Sequence, residues 1–330
     1  MEQTAVRGGD RGREDRTPAA DGSTRIRWEF QDIAMLSYLG VVVVLLLVLG
    51  AGLGRHTHPW RLIIYHLALA AAGLGARSLP RWWDHPAARF LRWWYPVILM
   101  FFCFTAVGWM IHIIRPAFVD PFLLDLERAL FGVLWTPLLQ QFAHPVLTEV
   151  MYFFYTAYYF LIPGLGLPLY LEWREEGAAE QGPRFREYML AVTLTFWVCY
   201  LHFLVTPGAG PVFWSGYPGP VLTLDGGPIT AFEQWLFARG AIVGGAFPSS
   251  HVAVAFVIAI YSVRFRVASW FFAPVAVGLA ISTMYNGYHY GVDVVWGIAV
   301  AVVMAALAPP LFTWWEHRLD EGGRGTPEGT

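Results

Sequence analysis

The sequence predicts an all-α fold, a polytopic membrane helical bundle with about eight transmembrane helices. Hydrophobic residues make up 56% of the 330 residues and charged residues only 14%, well below the roughly 25% of a soluble domain. Several apolar runs approach the roughly 20 residues that are needed to cross a bilayer. The predicted spans are residues 33–53, 60–76, 94–114, 146–170, 188–206, 248–263, 268–286 and 292–314.

These spans divide the chain into four predicted parts. Residues 1–30 are rich in Gly and Arg and are expected to form a disordered cytoplasmic tail. Residues 31–93 hold two extra helices, the first of which is too long and begins too late for an ordinary signal peptide. A six-helix core follows over residues 94–316, and residues 317–330 form a second cytoplasmic tail.

Arginine predicts the orientation in the cell membrane, because basic residues accumulate on the cytoplasmic side. All 22 basic residues are arginine, and 17 of them lie on the inner side if the N-terminus is cytoplasmic. Between the third and fourth spans, residues 121–131 predict an amphipathic helix in the interface. The longest outer segment, residues 207–246, contains 9 Gly and 5 Pro and is interpreted either as a lid over a site or as a plain connector.

Two histidine motifs flank the sixth and seventh predicted spans. The segment Phe247–His251 precedes the sixth span, and His289–Asp293 follows the seventh. Because two helices that run out and back bring these ends to one face, the two histidines are expected to meet on the extracytoplasmic side. His289 and Asp293 share one helix face, so the carboxylate could orient the ring for attack while His251 protonates a leaving group.

The serines beside His251 allow two interpretations. Ser249 and Ser250 stand at a predicted helix start, where hydroxyl groups commonly cap free backbone N–H groups. The same hydroxyls and amides could instead form a cradle for a phosphate. An aromatic run over residues 152–160 is interpreted as packing or as an interfacial belt rather than as a groove for a lipid tail.

Pro-Ser-x-His, followed by Ser282, His289 and Asp293, resembles the type 2 phosphatidic acid phosphatase superfamily, and most closely its inositol phosphorylceramide synthase-like branch. The stretch Thr206–Pro211 resembles a proline-rich segment of that branch. The resemblance covers residues 94–316. It implies that His289 becomes phosphohistidine, that Asp293 orients it, that His251 protonates the leaving alcohol, and that Ser249 and Ser250 hold phosphate oxygens. It implies no metal and no cofactor.

The chain departs from the family pattern in its phosphate-binding cations. The family's first motif supplies Lys and Arg, but this chain has no lysine and no arginine over residues 199–212. Thr283 stands where the third motif has Arg. We expect Arg239 to substitute for these cations. His202 is the titratable side chain with cationic potential within residues 199–212, and Arg115 is a weaker choice than Arg239. An interface anchor is the other interpretation of Arg239.

The predicted function is that of a lipid-phosphate phosphatase at the extracytoplasmic face. The alternative is a phosphotransferase that moves a phospho-head group to an alcohol acceptor such as inositol, because the same phosphohistidine serves both reactions. A second alternative is a non-catalytic lipid-binding or scrambling protein on the same scaffold. The expected partner is a membrane lipid phosphate, and no nucleic-acid patch is present in the sequence.

Overall fold

The computed structural model describes residues 26–53, 58–172 and 182–324 and is an all-α helical bundle over these ranges. Six helices are long and apolar enough to cross a membrane, and two further apolar helices are shorter. These eight helices are α1 (Phe30–Leu49), α2 (Pro59–Ser78), α3 (Pro86–Met110), α6 (Pro145–Glu172), α7 (Pro183–Val205), α9 (Ser250–Phe265), α10 (Ser269–Tyr285) and α11 (Gly291–Arg324).

Three further helices lie in the connections that the sequence places on the outer side. They are α4 (Asp120–Phe131), α5 (Trp135–Gln140) and α8 (Pro228–Gly240). Helix α4 occupies the segment that was predicted as an amphipathic helix, and its buried side chains Asp120, Leu123, Leu124 and Glu127 follow the spacing of one helix face. Helices α5 and α8 were not predicted.

The bundle is built around α9, which packs against α7, α10 and α11. Its buried face is made of small and β-branched residues such as Val252, Ala253 and Ala255, which allow neighbouring helices to approach closely. Helices α3 and α6 both pack against α7. Helices α1 and α2 pack against each other, and α1 also contacts α7, so the two extra helices lie beside the core.

The eight predicted spans correspond to the eight apolar helices, but some boundaries were wrong. Helix α3 begins at Pro86 rather than 94, so the predicted division at residue 93 falls inside this helix. Its second turn contains Arg92, a charged residue that ends an apolar span in a prediction from hydropathy. In the structure a buried ion pair with Asp32 satisfies this charge. Helix α11 continues to Arg324, past the predicted end of the core at 316. The predicted disordered tail falls mostly on residues 1–25, outside the described residues.

A buried ion cluster joins the ends of five helices at the side that the sequence predicts to be cytoplasmic. Asp32 of α1 accepts hydrogen bonds from Arg92 and, at 2.5 Å, from the Tyr95 hydroxyl, and its carboxylate lies 3.3 Å from Arg77. Just before α1, Glu29 pairs with Arg186. Arg186 in turn pairs with Glu316 of α11. Each pair shields charges that would be costly if they were buried alone.

Candidate active site

The two predicted histidines meet at one end of the bundle. Helices α9 and α11 both begin at this end, because α10 runs antiparallel between them. His251 lies in the first turn of α9, and His289 lies in the loop just before α11. Their ring centroids are 6.4 Å apart. The arrangement therefore brings together two imidazoles that are 38 residues apart in the chain.

A backbone carbonyl is the nearest hydrogen-bond acceptor of His289. Its Nδ1 donates to the carbonyl oxygen of Ala246 at 2.8 Å, whereas the Asp293 carboxylate is 3.4 Å away. A carbonyl oxygen only accepts, so Nδ1 carries the proton and Nε2 keeps its lone pair. Burial lowers the pKa of His289 to about 4, and its hydrogen bond to Ala246 opposes this only in part. The ring is therefore neutral near pH 7.

Asp293 does less direct orienting than its spacing predicted. One carboxylate oxygen accepts the backbone N–H of Tyr290 at 2.8 Å, and the backbone carbonyl of Asp293 accepts the N–H of Ser249 at 3.1 Å. These bonds join the start of α11 to the start of α9. The side chain is fully buried and lies 3.4 Å from Nδ1 of His289, whose proton is given to Ala246.

His251 is held by aromatic rings. Its ring stacks on Tyr155 at a centroid distance of 5.1 Å and packs against Tyr158 at 4.3 Å. Its Nε2 lies 3.5 Å from the Tyr155 hydroxyl. Both tyrosines come from α6, in the aromatic run that was interpreted as packing or as a belt. That interpretation was incomplete, because these rings form part of the wall around the histidines.

Both histidines line a cavity of about 440 Å³, here called the central cavity. Helices α3, α6 and α7 supply its deeper walls through Met100, Phe101, Phe104, Thr105, Tyr155, Tyr158, Tyr159, Ile162, Phe196 and Tyr200. Phe101 and Thr105 are exposed on the outer surface of α3, well below the end of this helix. The central cavity therefore runs from the histidines toward the apolar surface between α3 and α6.

The Gly/Pro-rich outer segment covers the histidines, as the lid interpretation expected. Leu236, Phe237 and Gly240 of α8 line the central cavity. Phe237 stacks on Tyr288 at a centroid distance of 4.1 Å, and Phe213 stacks on Phe237 at 5.5 Å. Tyr288 precedes His289 in the chain, and all three stacked rings line the central cavity together with His289. They cover the histidines from the side of α8.

Two carboxylates that the sequence analysis missed fasten this lid to α6. Glu149 accepts hydrogen bonds from the backbone N–H groups of Gly227, Ile229 and Thr230, at 2.6–3.1 Å, around the first turn of α8. Glu233, which is fully buried, accepts from the hydroxyl groups of Thr156 and Tyr159. Burial raises the pKa of Glu233, and these two hydroxyl donors oppose the rise.

Two further missed carboxylates, both on α4, hold the loops around His289. Asp120 accepts from the backbone N–H groups of Ala209 and Gly210, at 2.7 and 2.9 Å, and from the Tyr290 hydroxyl at 3.0 Å. Glu127 accepts from the backbone N–H of Gly291 at the first residue of α11. The available signal was their spacing of seven residues, which places both on one face of the predicted amphipathic helix.

The serines follow the capping interpretation. Ser249 is the N-cap of α9, and its hydroxyl accepts from the backbone N–H of Val252 at 3.4 Å. Ser249 and Ser250 are buried, and neither lines the central cavity. The structure therefore places them directly beside His251 without bringing their side chains to the cavity.

The three expected cationic side chains are not brought to the central cavity. Arg239 is exposed, its guanidinium lies over the ring of Trp235 at 4.3 Å, and it donates to the backbone carbonyl of Trp235. Nδ1 of His202 lies 2.9 Å from the backbone carbonyl of Val198, within α7. Arg115 is exposed beyond the end of α3. This geometry fits the interpretation of Arg239 as an interface anchor.

In the part of the chain that the structure describes, Thr283 adds no phosphate-binding side chain to the site and no metal-binding cluster is present. The Thr283 hydroxyl donates to the carbonyl of Ala280 in its own helix. Within residues 26–53, 58–172 and 182–324, no group of three or more His, Cys, Asp or Glu side chains is placed to hold a metal ion. The chemistry that the described site offers is therefore that of two imidazoles, a nearby carboxylate and a set of tyrosine hydroxyls.

Comparison with known proteins points to one family. The family model of the PAP2 superfamily matches residues 121–307, more than half of the chain. A PA-phosphatase related-family protein of Dictyostelium discoideum is 29% identical over 126 residues. That match covers 36% of this chain and 22% of the relative, so the chain spans about a fifth of that protein's length. No solved structure matches the chain.

Proposed function

The chain belongs to the PAP2 superfamily, and from this premise we propose that it is an integral membrane lipid-phosphate phosphatase working through a phosphohistidine. One observation carries the proposal: His251 and His289 face each other, 6.4 Å apart, on the wall of a cavity that reaches the exposed side chains Phe101 and Thr105 of α3. Reacting atoms in a productive complex are about 3–3.5 Å apart. Two rings at this separation can therefore flank one phosphorus atom.

In the first step, Nε2 of His289 attacks phosphorus. Its lone pair is available because Nδ1 holds the proton against Ala246. The P–O bond to the lipid breaks, its electron pair goes to the leaving oxygen, and His251, which enters the step protonated, gives that oxygen its extra proton and becomes neutral. The products are the lipid alcohol and a phosphohistidine. The ring of His289 gains positive charge in this step, and the carboxylate of Asp293, 3.4 Å from Nδ1, stabilises it.

In the second step, water attacks the phosphohistidine. His251, now neutral, takes one proton from the water as the new P–O bond forms. The N–P bond breaks, its electron pair returns to Nε2 of His289, and phosphate leaves. The two histidines are then restored to their starting protonation states, so the cycle consumes only water and the lipid phosphate.

Phosphate labelling of the protein tests these roles. With a radiolabelled lipid phosphate, His289→Ala should form no labelled protein and release no phosphate. His251→Ala should still become labelled with a substrate that has a good leaving group, because such a group needs little protonation. Labelling that persists in His289→Ala and vanishes in His251→Ala would reverse the assignment. Loss of activity in excess chelator, restored by a divalent ion, would contradict the mechanism itself.

The lid favours a second candidate reaction, phosphotransfer to an alcohol such as inositol. Phe213, Phe237 and Tyr288 stack over the histidines and restrict water, and an alcohol bound under the lid would then compete with water for the phosphohistidine. Supplying a panel of alcohols during turnover separates the reactions. Formation of a new phosphate ester of the added alcohol identifies a transferase, and release of inorganic phosphate alone identifies a phosphatase. The non-catalytic scaffold would do neither.

The proposal places the histidine pair on the extracytoplasmic side of the cell membrane, supported by the arginine distribution. Single cysteines at the exposed positions Gly216 and Gly226 should react with a membrane-impermeant reagent added to intact cells. A cysteine at Arg266, in the turn between α9 and α10, should not react. The native Cys103 and Cys199 are buried and give a low background. Reversed labelling would contradict the orientation.

A further inference from the structure

A phosphate group in the central cavity would meet very few cations. The whole chain has no lysine, and among the residues that the structure describes no arginine lines this cavity. Arg239 points outward over Trp235, His289 is neutral near pH 7, and the proton of His251 is given to the leaving oxygen in the proposed first step. Some other group must therefore supply the hydrogen bonds that replace the hydration of the phosphate.

Tyrosine hydroxyls are the polar groups that the cavity wall offers in quantity. Two of them are already committed: Tyr200 donates to the carbonyl of Met100 and Tyr159 donates to Glu233. The Tyr155 hydroxyl lies 3.5 Å from Nε2 of His251, and the Tyr288 hydroxyl lies 3.5 Å from the hydroxyl of Tyr152. These two distances are too long for strong hydrogen bonds. Both hydroxyls are therefore available to a better acceptor.

Position and protonation both suit these two hydroxyls to the task. The ring of Tyr155 stacks on His251, and the ring of Tyr288, the residue before His289, packs edge-on against Tyr155 at 5.1 Å. The Tyr155 hydroxyl is thus attached to a ring that contacts His251. The Tyr288 hydroxyl belongs to the residue that precedes His289. Burial raises the pKa of Tyr288, so its hydroxyl keeps its proton and donates.

We propose that the hydroxyls of Tyr155 and Tyr288 donate hydrogen bonds to the phosphoryl oxygens in place of basic side chains, and that the site consequently takes a phosphate group with one negative charge. This proposal rests on the function proposed above. Neutral donors stabilise an anion less than a guanidinium does, and the cost of burying an ion rises with the square of its charge. A dianion is therefore excluded from this apolar cavity more strongly than a monoanion.

Two substrate classes carry this shared chemistry. A lipid phosphodiester is a monoanion at every physiological pH. A lipid phosphomonoester is a monoanion only below its second pKa, which is about 6. The two classes differ in how their recognition depends on pH, since only the monoester changes charge between pH 6 and 8.

The pH dependence is measured with a monoester and a diester that share one alkyl tail. We expect the ratio of their kcat/KM values, monoester over diester, to fall about ten-fold for each pH unit above about 6. Ionisation of the protein affects both substrates and cancels in the ratio. A ratio that stays flat or rises between pH 6 and 8 would show that the site accepts the dianion, and would overturn the proposal.

Hydroxyl deletion tests the donors directly. Tyr155→Phe and Tyr288→Phe each keep the aromatic ring and remove one hydroxyl, and each should weaken diester binding about ten-fold or more. Binding is measured by calorimetry in a His289→Ala background, which cannot turn over. Tyr188→Phe is the matched control, since Tyr188 does not line the cavity and its hydroxyl donates to the backbone carbonyl of Ile162; diester binding by this variant should equal that of the parent.

The outcomes separate this proposal from the proposed function. Unchanged binding in both folded cavity variants, with turnover intact in the parent, would refute the tyrosine donors and leave the phosphohistidine mechanism standing. Binding that depends on the two hydroxyls, without turnover of either substrate in the native protein, would support the donors and refute the enzymatic function. Melting temperatures of all variants identify any that fail to fold.

Discussion

Asp120 tests how α4 positions the loops around the histidine pair. Its carboxylate is fully buried and accepts three hydrogen bonds, from the N–H groups of Ala209 and Gly210 and from the Tyr290 hydroxyl. Ala209 lines the central cavity and Tyr290 follows His289 in the chain. The substitution Asp120→Asn keeps the size of this side chain and replaces one acceptor oxygen by a donor NH₂ group.

The expected loss follows from the geometry of these bonds. The two backbone N–H groups bind different oxygens, so in either amide orientation at least one buried N–H faces the NH₂ group. An orphaned buried donor costs about 1–3 kcal/mol. The bonds that remain lose their charge assistance, which roughly halves their strength. Together these effects lower the free energy of unfolding by about 3–5 kcal/mol, a large share of the roughly 5–15 kcal/mol that holds a domain folded.

Thermal unfolding in detergent and steady-state kinetics measure the two consequences. At roughly 2 °C per kcal/mol, Asp120→Asn should lower the melting temperature by roughly 6–10 °C. Since a displacement of about 1 Å costs about 100-fold in rate, kcat/KM should fall by that order below the melting temperature. Tyr290→Phe removes only one of the three bonds and should cost about 1.5 kcal/mol. Wild-type melting and kinetics in Asp120→Asn would refute the positioning role.

Three further substitutions test other parts of the fold. Burial raises the pKa of Glu233 above its unfolded value. The stability that the protonated side chain contributes is therefore lost as pH rises through the folded pKa. Glu233→Gln cannot ionise, so it should raise the melting temperature at pH 8 and change it little at pH 5. Gly210→Ala should destabilise the protein and lower kcat/KM, because Gly210 has a φ of +84° and a Cβ would lie 2.4 Å from the carbonyl oxygen of Tyr288. The control is Gly40→Ala, whose Cβ meets nothing within 4 Å. Asp32→Ala leaves its arginine partners unpaired and should lower the free energy of unfolding by about 3–5 kcal/mol. Below the melting temperature kcat/KM should be retained. A selective loss of activity would contradict the assignment of this cluster to stability.

Hydropathy and motif order predicted the features that depend on short segments. Eight apolar runs became eight apolar helices, because each run satisfies its own backbone hydrogen bonds in lipid. The approach of His251 and His289 also followed from the sequence, since α10 returns the chain to the face from which α9 starts. The predicted start of α3 was wrong because hydropathy counts Arg92 as polar, while its charge is satisfied by Asp32 in another helix.

The partners of buried charges depend on contacts that no local pattern contains. Glu149 binds backbone N–H groups about 80 residues further along the chain, and Asp120 binds groups about 90 residues away. The outward placement of Arg239 comes from a local contact, since its guanidinium lies over the ring of Trp235, four residues earlier in α8. Residues 236, 237 and 240 of α8 line the cavity, and Arg239 lies about 60–160° from them around the helix axis, so periodicity alone does not decide where its side chain points.

The buried ion cluster has a consequence for how the protein is made. Helix α1 enters the membrane early, but Arg92 lies 60 residues beyond Asp32, and Arg186 lies 157 residues beyond Glu29. At about 5–20 residues per second, the second carboxylate waits roughly 8–30 s for its arginine to be synthesised. The last partner, Glu316, arrives only when α11 is complete. Until α7 is made, the carboxylate of Glu29 therefore stands without the Arg186 guanidinium that pairs with it in the folded protein.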